Sequence, residues 1–371
     1  MKKILFMMYD LNGGGAEKVL IDILKRMNKN KYSIDLFLLR KQGVYLKEAE
    51  KLVNIIALTG KRSFFNRFVL FRKISSLYRE IKIRIFIYIP CLVNLYLKNN
   101  YDVEIAFLEG NTTKLLSRKK SNCKKITWLH TDLNKNKDKG NQKTYERFNK
   151  VICVSNDCKN SFLKLYPEGR NKTQTIYNPI DKEKILEQAK EKINFNKRNK
   201  INIITIGRLA KVKGYDILLQ SHNKLIKSGL DYNLIFLGEG PERKNMEKYI
   251  KENNLENNTQ LLGFKENPYS YLKEADIFVS SSRYEGFSLV VAEALCLNKP
   301  VIVTKCTGPK EILENGKYGL LAEIENIDNL AEKMKLMILD EEIRKKYSKL
   351  SEERSKIFDI ERTMKEIEDL F

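Results

Sequence analysis

The chain has 371 residues, 42% hydrophobic and 31% charged, a globular composition long enough for two domains with separate cores. Two histidines nearly exclude a histidine-rich metal site, and most of the six cysteines (Cys91, Cys123, Cys153, Cys158, Cys296 and Cys306), which form no Cys-x-x-Cys pair, read as small buried thiols. The net charge of +22 is lopsided: residues 1–180 hold 36 Lys+Arg against 15 Asp+Glu, a net +21, while residues 181–371 hold 33 against 32. A lysine-rich genome would raise charge throughout. The excess therefore predicts an anionic partner for the N-terminal half, whether membrane surface, phosphate-bearing acceptor or nucleic acid.

In chain order, Met1-Lys2-Lys3 leads straight into an apolar run without an h-region or small-residue cleavage site, which argues against secretion. Buried-type strands are predicted at Ile4–Tyr9, Ile34–Leu39, Val103–Leu108, Ile126–Leu129 and Val151–Val154. A helix is predicted over Ala16–Met27, where Val19, Leu20, Ile23 and Leu24 share one face. Residues 61–84 interleave Arg62, Arg67, Arg72, Lys73 and Arg79 with Phe64, Phe65, Phe68 and Phe71, opposed only by Glu80. Basic and aromatic residues at near-helical spacing suit an interfacial helix on anionic lipid, or else aromatic core with solvated charges. The apolar stretch Ile85–Leu97 is broken by Pro90 and Asn94 and is too short to span a bilayer.

A polar segment at 181–200 is expected to link a domain of residues 1–180 to one of 201–358, with a terminal helix at about 359–371 able to pack back on the first. The second half repeats the alternation. Strands are predicted at Ile201–Ile206, Leu234–Leu237, Gln260–Leu262, Ile277–Val279 and Pro300–Val303, with helices at Asp216–Lys227 and Leu330–Leu339. Non-alternating strands separated by helices specify an α/β fold of two Rossmann-like parallel-sheet domains facing across a cleft, with ligands at the carboxyl ends of the strands. The expected location is cytoplasmic, peripheral at the inner face of the cell membrane.

Several loops at those carboxyl ends carry chemistry. Asn12-Gly13-Gly14-Gly15 joins the first strand to the first helix and lets backbone amides approach a ligand. A dinucleotide fingerprint would need glycine where Lys18 stands, which disfavours a nicotinamide dehydrogenase. Arg208 and Lys213 bracket the loop after Ile201–Ile206, a planar fork and a compact ammonium suited to a diphosphate. Gly238, Gly240 and Phe264 follow the next two strands. Then comes Ser281-Ser-Arg-Tyr-Glu-Gly-Phe-Ser-Leu-Val-Val-Ala-Glu-Ala-Leu295, with Glu285 before a helix and Glu293 inside its apolar run. Ser288 is a candidate N-cap, and the free amides there suit a phosphate. His130 closes the strand Ile126–Leu129; alone it reads as structural, and His222 reads as surface.

The segment from Glu285 to Glu293 resembles the E-x7-E motif of retaining family 4 glycosyltransferases of the GT-B fold, the type that builds bacterial surface polysaccharides. Arg208 and Lys213 match that family's diphosphate-binding pair, and Gly13-Gly14-Gly15 matches its N-terminal glycine loop. Asn178-Pro179-Ile180 and Asn315-Gly316-Lys317-Tyr318-Gly319-Leu320-Leu321 resemble further segments in the right order. The resemblance spans nearly the whole chain and is thinnest over residues 40–125.

It implies a nucleotide-diphosphate sugar, UDP-linked, held by the C-terminal half; together with the basic N-terminal half, which suits an anionic lipid, this makes a polyprenyl-diphosphate-linked glycan the expected acceptor. Glu293 would hold the ribose hydroxyls, Glu285 the donor sugar, and the amides of Gly286, Phe287, Ser288 and Leu289 the sugar and phosphate. Arg208 and Lys213 would stabilise the leaving diphosphate. His130 would contact the donor sugar. No metal or other cofactor is implied, and no Asp-x-Asp motif is present. A GT-B enzyme acting on a soluble acceptor, such as a glycan synthase or a sugar-nucleotide epimerase, fits the same residues. A basic nucleic-acid-binding protein fits the charge but lacks any RNP, KH or zinc-finger signature.

Overall fold

The computed structural model describes residues 1–60, 69–97, 100–133, 141–193 and 200–371, and for residues 69–76 the backbone alone. Arg62 and Arg67 of the basic arm lie outside the described residues, and the side chains of Arg72 and Lys73 do likewise. The chain divides into two compact units, one of Met1–Pro179 with Glu361–Phe371, the other of Ile180–Ile360.

The first unit holds seven strands: β1 (Lys2–Met8), β2 (Tyr32–Arg40), β3 (Asn54–Thr59), β4 (Val103–Ala106), β5 (Lys124–Leu129), β6 (Lys150–Cys153) and β7 (Thr173–Thr175). Their order is β3-β2-β1-β4-β5-β6-β7, and every pairing is parallel. The second unit holds β8 (Asn202–Ile206), β9 (Asn233–Leu237), β10 (Thr259–Leu261), β11 (Ile277–Ser280), β12 (Val301–Thr304) and β13 (Leu320–Ala322). Here the order is β10-β9-β8-β11-β12-β13, again parallel. Such sheets are covered on both faces, so their strands read as unbroken apolar runs; Ile4 to Met8 are all fully buried. In each sheet the order reverses once, between β1 and β4 and between β8 and β11. The connections diverge at that point and leave a crevice at the carboxyl ends, where open α/β sheets bind ligands.

The helices supply the cover. Helix Gly15–Arg26 buries Val19, Leu20, Ile21, Ile23 and Leu24, with Glu17 in its first turn and Lys25 and Arg26 in its last, which complements the helix dipole. Residues 182–188 form a short helix of the second unit, capped by Asp181, whose carboxylate accepts from the Lys184 amide at 3.0 Å. At the terminus, helix Ile360–Glu368 buries Thr363, Met364 and Ile367. Phe371 then packs edge-on against Tyr32 and Phe6, so the last residues belong to the first unit. Among the described residues no helix is long and apolar enough to cross a membrane.

Each predicted strand is present, and β3, β7 and β13 are additional. The thiols are buried at Cys153, Cys158, Cys296 and Cys306, half-buried at Cys123 and exposed at Cys91. His222 is a correction: it is fully buried rather than on the surface. Its Nδ1 lies 2.7 Å from the Tyr232 hydroxyl and its Nε2 3.1 Å from the Thr259 hydroxyl, tying helix Tyr215–Lys227 to the entries of β9 and β10. Burial pushes its pKa down to about 3, so the folded chain holds it neutral.

The unfolded chain takes up a proton at His222 near pH 6.5, the folded chain only near 3, so stability is complete above about 6.5 and falls as pH drops below it. At pH 5.5 the loss from this one group is on the order of 1.4 kcal/mol. Chemical denaturation of wild type and His222→Gln at pH 7.5 and 5.5 checks it. The variant is expected to lose that much less stability across the interval, whatever its stability at pH 7.5.

Candidate active site

The reversal point of the second sheet brings together the loop after β8 and the loop after β11. Gly214 makes their close approach possible. Its φ of +62° lies in the left-handed region, and a Cβ there would stand 2.1 Å from the Ser281 carbonyl oxygen. The Ser281 hydroxyl donates to the Lys213 carbonyl at 2.8 Å, and the Arg283 amide donates to the Val212 carbonyl at 2.8 Å. Across this seam the Lys213 ammonium meets the Glu285 carboxylate at 2.9 Å, and the Ser282 hydroxyl donates to the same carboxylate oxygen.

Both partners are largely withdrawn from water, with side-chain exposures of 25% and 11%. Burial alone would lower the pKa of Lys213. The Glu285 carboxylate and the Tyr215 hydroxyl outweigh it, so the net shift is upward and the ammonium stays charged. Burial pushes the neighbouring Tyr215 phenol up to about 12 and the Cys306 thiol up to about 12, which removes both as nucleophiles near neutral pH.

The other C-terminal candidates line the same edge. Arg208, the second residue after β8, is exposed and makes no ion pair among the described residues. Gly238 follows β9 with φ +144°, and a Cβ would meet the Gly207 carbonyl oxygen at 1.9 Å, so the β8 and β9 loops touch through backbone. Gly240 approaches Leu209 in the same manner. Phe264, beyond β10, is 65% exposed. Gly286 and Phe287 pass beneath Gly308, and Ser288 and Leu289 open helix Leu289–Cys296. Ser288 occupies the N-cap position, yet its side chain makes no capping hydrogen bond. Glu293 is buried in that helix and accepts from the Tyr269 hydroxyl at 3.0 Å. Nothing in the local sequence marks Tyr269 as its partner, since the two are 24 residues apart.

At the reversal point of the first sheet, Gly14 caps helix Gly15–Arg26 without a side chain, and the Glu17 carboxylate of the first turn reaches back beside it. Asp10, at the end of β1, accepts from the Asn12 side chain at 2.6 Å and from Gln42 at 3.2 Å, fixing the turn into the glycines. Glu109, just past β4, accepts from the His130 amide at 2.9 Å and the Thr131 hydroxyl at 2.6 Å. Sequence reasoning missed Glu109, although an acid directly after a buried strand and before Gly110 was the available signal. The His130 ring packs on Phe107, with ring centroids 5.0 Å apart. Burial, opposed by a hydrogen bond to the Phe107 backbone, holds its pKa down to about 3, so the imidazole is neutral. Its Nε2 is buried without a hydrogen-bond partner among the described residues, a state that costs about 1–3 kcal/mol unless water or a ligand satisfies it.

Two family models match the chain. The one described as Glycosyltransferase Family 4 covers residues 13–184, and the one described as Glycosyl transferases group 1 covers residues 187–354. The chain belongs to glycosyltransferase family 4. Over 370 residues, 97% of this chain and 96% of its relative, the transferase is 27% identical to the Campylobacter jejuni N-acetylgalactosamine-N,N'-diacetylbacillosaminyl-diphospho-undecaprenol 4-alpha-N-acetylgalactosaminyltransferase. It is 36% identical to an uncharacterized glycosyltransferase of Methanocaldococcus jannaschii over 231 residues, 53% of this chain and 57% of the relative's length. Among solved structures it resembles Anabaena HepE in complex with UDP and glucose, at TM-score 0.74 and 20% identity, with 100% of this chain and 99% of that one covered. TarM superposes at TM-score 0.75 and 16% identity, covering 100% and 98%. These likenesses establish the GT-B fold.

The seam yields a stability prediction for this transferase. Gly214→Ala combines left-handed strain with a backbone clash and is expected to cost roughly 2–4 kcal/mol in chemical denaturation. Gly60→Ala, where an added Cβ meets nothing within 4 Å, is expected to change little.

Proposed function

We propose that this transferase moves a sugar, with retention of anomeric configuration, from a UDP-sugar to a polyprenyl-diphosphate-linked glycan of a bacterial surface polysaccharide. The observation that carries the donor reading is the Lys213–Glu285 pair at the reversal point, with the exposed cation of Arg208 at the same strand ends. In this reading the diphosphate is held by Arg208, Lys213 and the amides of Gly286 to Leu289. Glu293 takes the ribose hydroxyls. Glu285, already fixed by Lys213 and Ser282, takes a hydroxyl of the donor sugar, and the unpartnered Nε2 of His130 is available to a sugar hydroxyl. Two cations, Arg208 and Lys213, stabilise charge on the departing diphosphate, the role a metal ion plays elsewhere, so the reaction is proposed to need none. The name of the full-length Campylobacter jejuni relative supports the lipid-linked acceptor.

The acceptor reading places the protein at an anionic membrane on its cytoplasmic side. Helix Val69–Tyr88 supports this. Its described half buries Ile83, Phe86 and Ile87 and exposes Leu77, Tyr78, Ile81, Ile85 and Tyr88, with Arg84 exposed beside them. An apolar stripe flanked by cations suits the boundary of an anionic bilayer. Arg79 and the basic residues preceding it extend the same charge in sequence.

Wild-type protein incubated with a panel of nucleotide sugars and lipid-linked acceptors is expected to show turnover that survives EDTA and gives product of retained configuration by NMR. Arg208→Ala is expected to lose about 100–1,000-fold in kcat without unfolding. Glu293→Ala is expected chiefly to weaken UDP binding by calorimetry. Absence of sugar-nucleotide binding across the panel contradicts the reading, and inverted product contradicts retention alone.

Sedimentation with phosphatidylglycerol vesicles is expected to carry the protein down, with phosphatidylcholine vesicles doing so far less. Replacing Ile81, Ile85 and Tyr88 together by Ser is expected to abolish the difference. Equal recovery from both lipids contradicts docking on an anionic surface.

A further inference from the structure

Between Ser282 and Glu285 stands a residue that no part of the proposed reaction uses. Arg283 is three-quarters buried, and four of the five N–H groups of its guanidinium have acceptors. It grips Asp216 with two parallel bonds, Nη1 to Oδ1 at 2.9 Å and Nη2 to Oδ2 at 2.7 Å. Its Nε donates to Glu325 at 2.8 Å, and Nη1 also donates to the Lys211 carbonyl. Its backbone amide donates to the Val212 carbonyl.

One residue of the loop after β11 thus binds three successive parts of the other loop: the Lys211 carbonyl, the Val212 carbonyl and the first turn of helix Tyr215–Lys227. Lys213 lies between those anchor points. Glu285 is two residues beyond Arg283 on the other side of the seam.

We propose that Arg283 is a positioning residue that locks the loop after β8 to the loop after β11 and so sets the geometry of the Lys213–Glu285 pair. Isolated surface ion pairs contribute little, and Asp216 is half-exposed, so the lock does not rest on the strength of one pair. It rests on the fork: a planar, bidentate guanidinium with two further acceptors holds direction as well as distance, which a lysine cannot reproduce. Burial alone would raise the Asp216 carboxyl, yet the Arg283 fork holds it below the usual carboxylate range, and the Arg283 pKa is raised in return. Glu325 adds a third contact from a strained turn, with φ +59° at a non-glycine residue. A displacement of about 1 Å in groups that act on a transition state can cost about 100-fold in rate.

The consequence for catalysis rests on the donor reading above; the locking of the loops does not. The test therefore has two arms, applied to Arg283→Ala, Arg283→Lys and Asp216→Asn. In hydrogen–deuterium exchange without substrate, peptides covering 208–214 and 281–287 are expected to exchange at least about threefold faster in Arg283→Ala, with β8 and β11 unchanged. In initial-rate assays, kcat of Arg283→Ala is expected to fall about 100-fold with the donor KM within about fivefold, Asp216→Asn to fall less, and Arg283→Lys to recover about tenfold. Unchanged exchange in 208–214 overturns the clamp, as does kcat within twofold of wild type. A lysine variant as impaired as alanine, with the melting temperature collapsed in both, reduces Arg283 to a folding residue and also overturns it. If wild type turns over no nucleotide sugar, the donor reading fails while the exchange arm still decides the clamp.

Discussion

The ion pair between Lys213 and Glu285 is the contact around which the C-terminal unit is organised. Burial disfavours the ammonium, and the carboxylate is the more enclosed of the two, so each needs its partner. The Glu285 carboxylate at 2.9 Å keeps the ammonium charged, and the two meet only because two loops leave the sheet at the one place where strand order reverses. A glycine without a Cβ, a serine hydroxyl and the Arg283 fork hold those loops together. The result is a charged, hydrogen-bonded edge whose amides and side chains are fixed before any ligand arrives, which is the preorganisation that electrostatic catalysis requires.

Much of this was legible in the sequence, for a physical reason. The central strands β1, β5, β8, β9, β11 and β12 are buried on both faces, so each reads as a short, mainly apolar run. Edge strands are different. β7 is Thr-Gln-Thr, and β13 has only three residues, so neither has enough apolar length to stand out. The acids of the E-x7-E stretch were conspicuous because one interrupts an apolar helix. Other residues that shape the two sheet edges were not. Glu109, Tyr269 and Arg283 act through contacts 22, 24 and 67 residues away, and a linear pattern carries no trace of such a pairing. His222 misled for the same reason: its polar neighbours along the helix suggest solvent, while its actual neighbours are a tyrosine and a threonine from other strands.

The two halves of the chain differ in charge. The C-terminal unit is nearly neutral in sequence, and its cations at the strand ends are specific ones. The N-terminal half carries the excess of +21, spread over many lysines and arginines, with exposed apolar side chains on the described half of helix Val69–Tyr88. A small polyanionic ligand selects a few fixed donors; an extended anionic surface selects many mobile ones. The charge asymmetry is what that division of labour would produce in a transferase that takes a soluble donor and a lipid-borne acceptor.

The most direct test is a crystal structure of the protein with UDP. The account predicts the diphosphate within hydrogen-bond distance of Arg208, Lys213 and the amides at the start of helix Leu289–Cys296, with the ribose hydroxyls on Glu293. A nucleotide bound elsewhere, or bound here with its ribose away from Glu293 and its phosphates away from both cations, would contradict it.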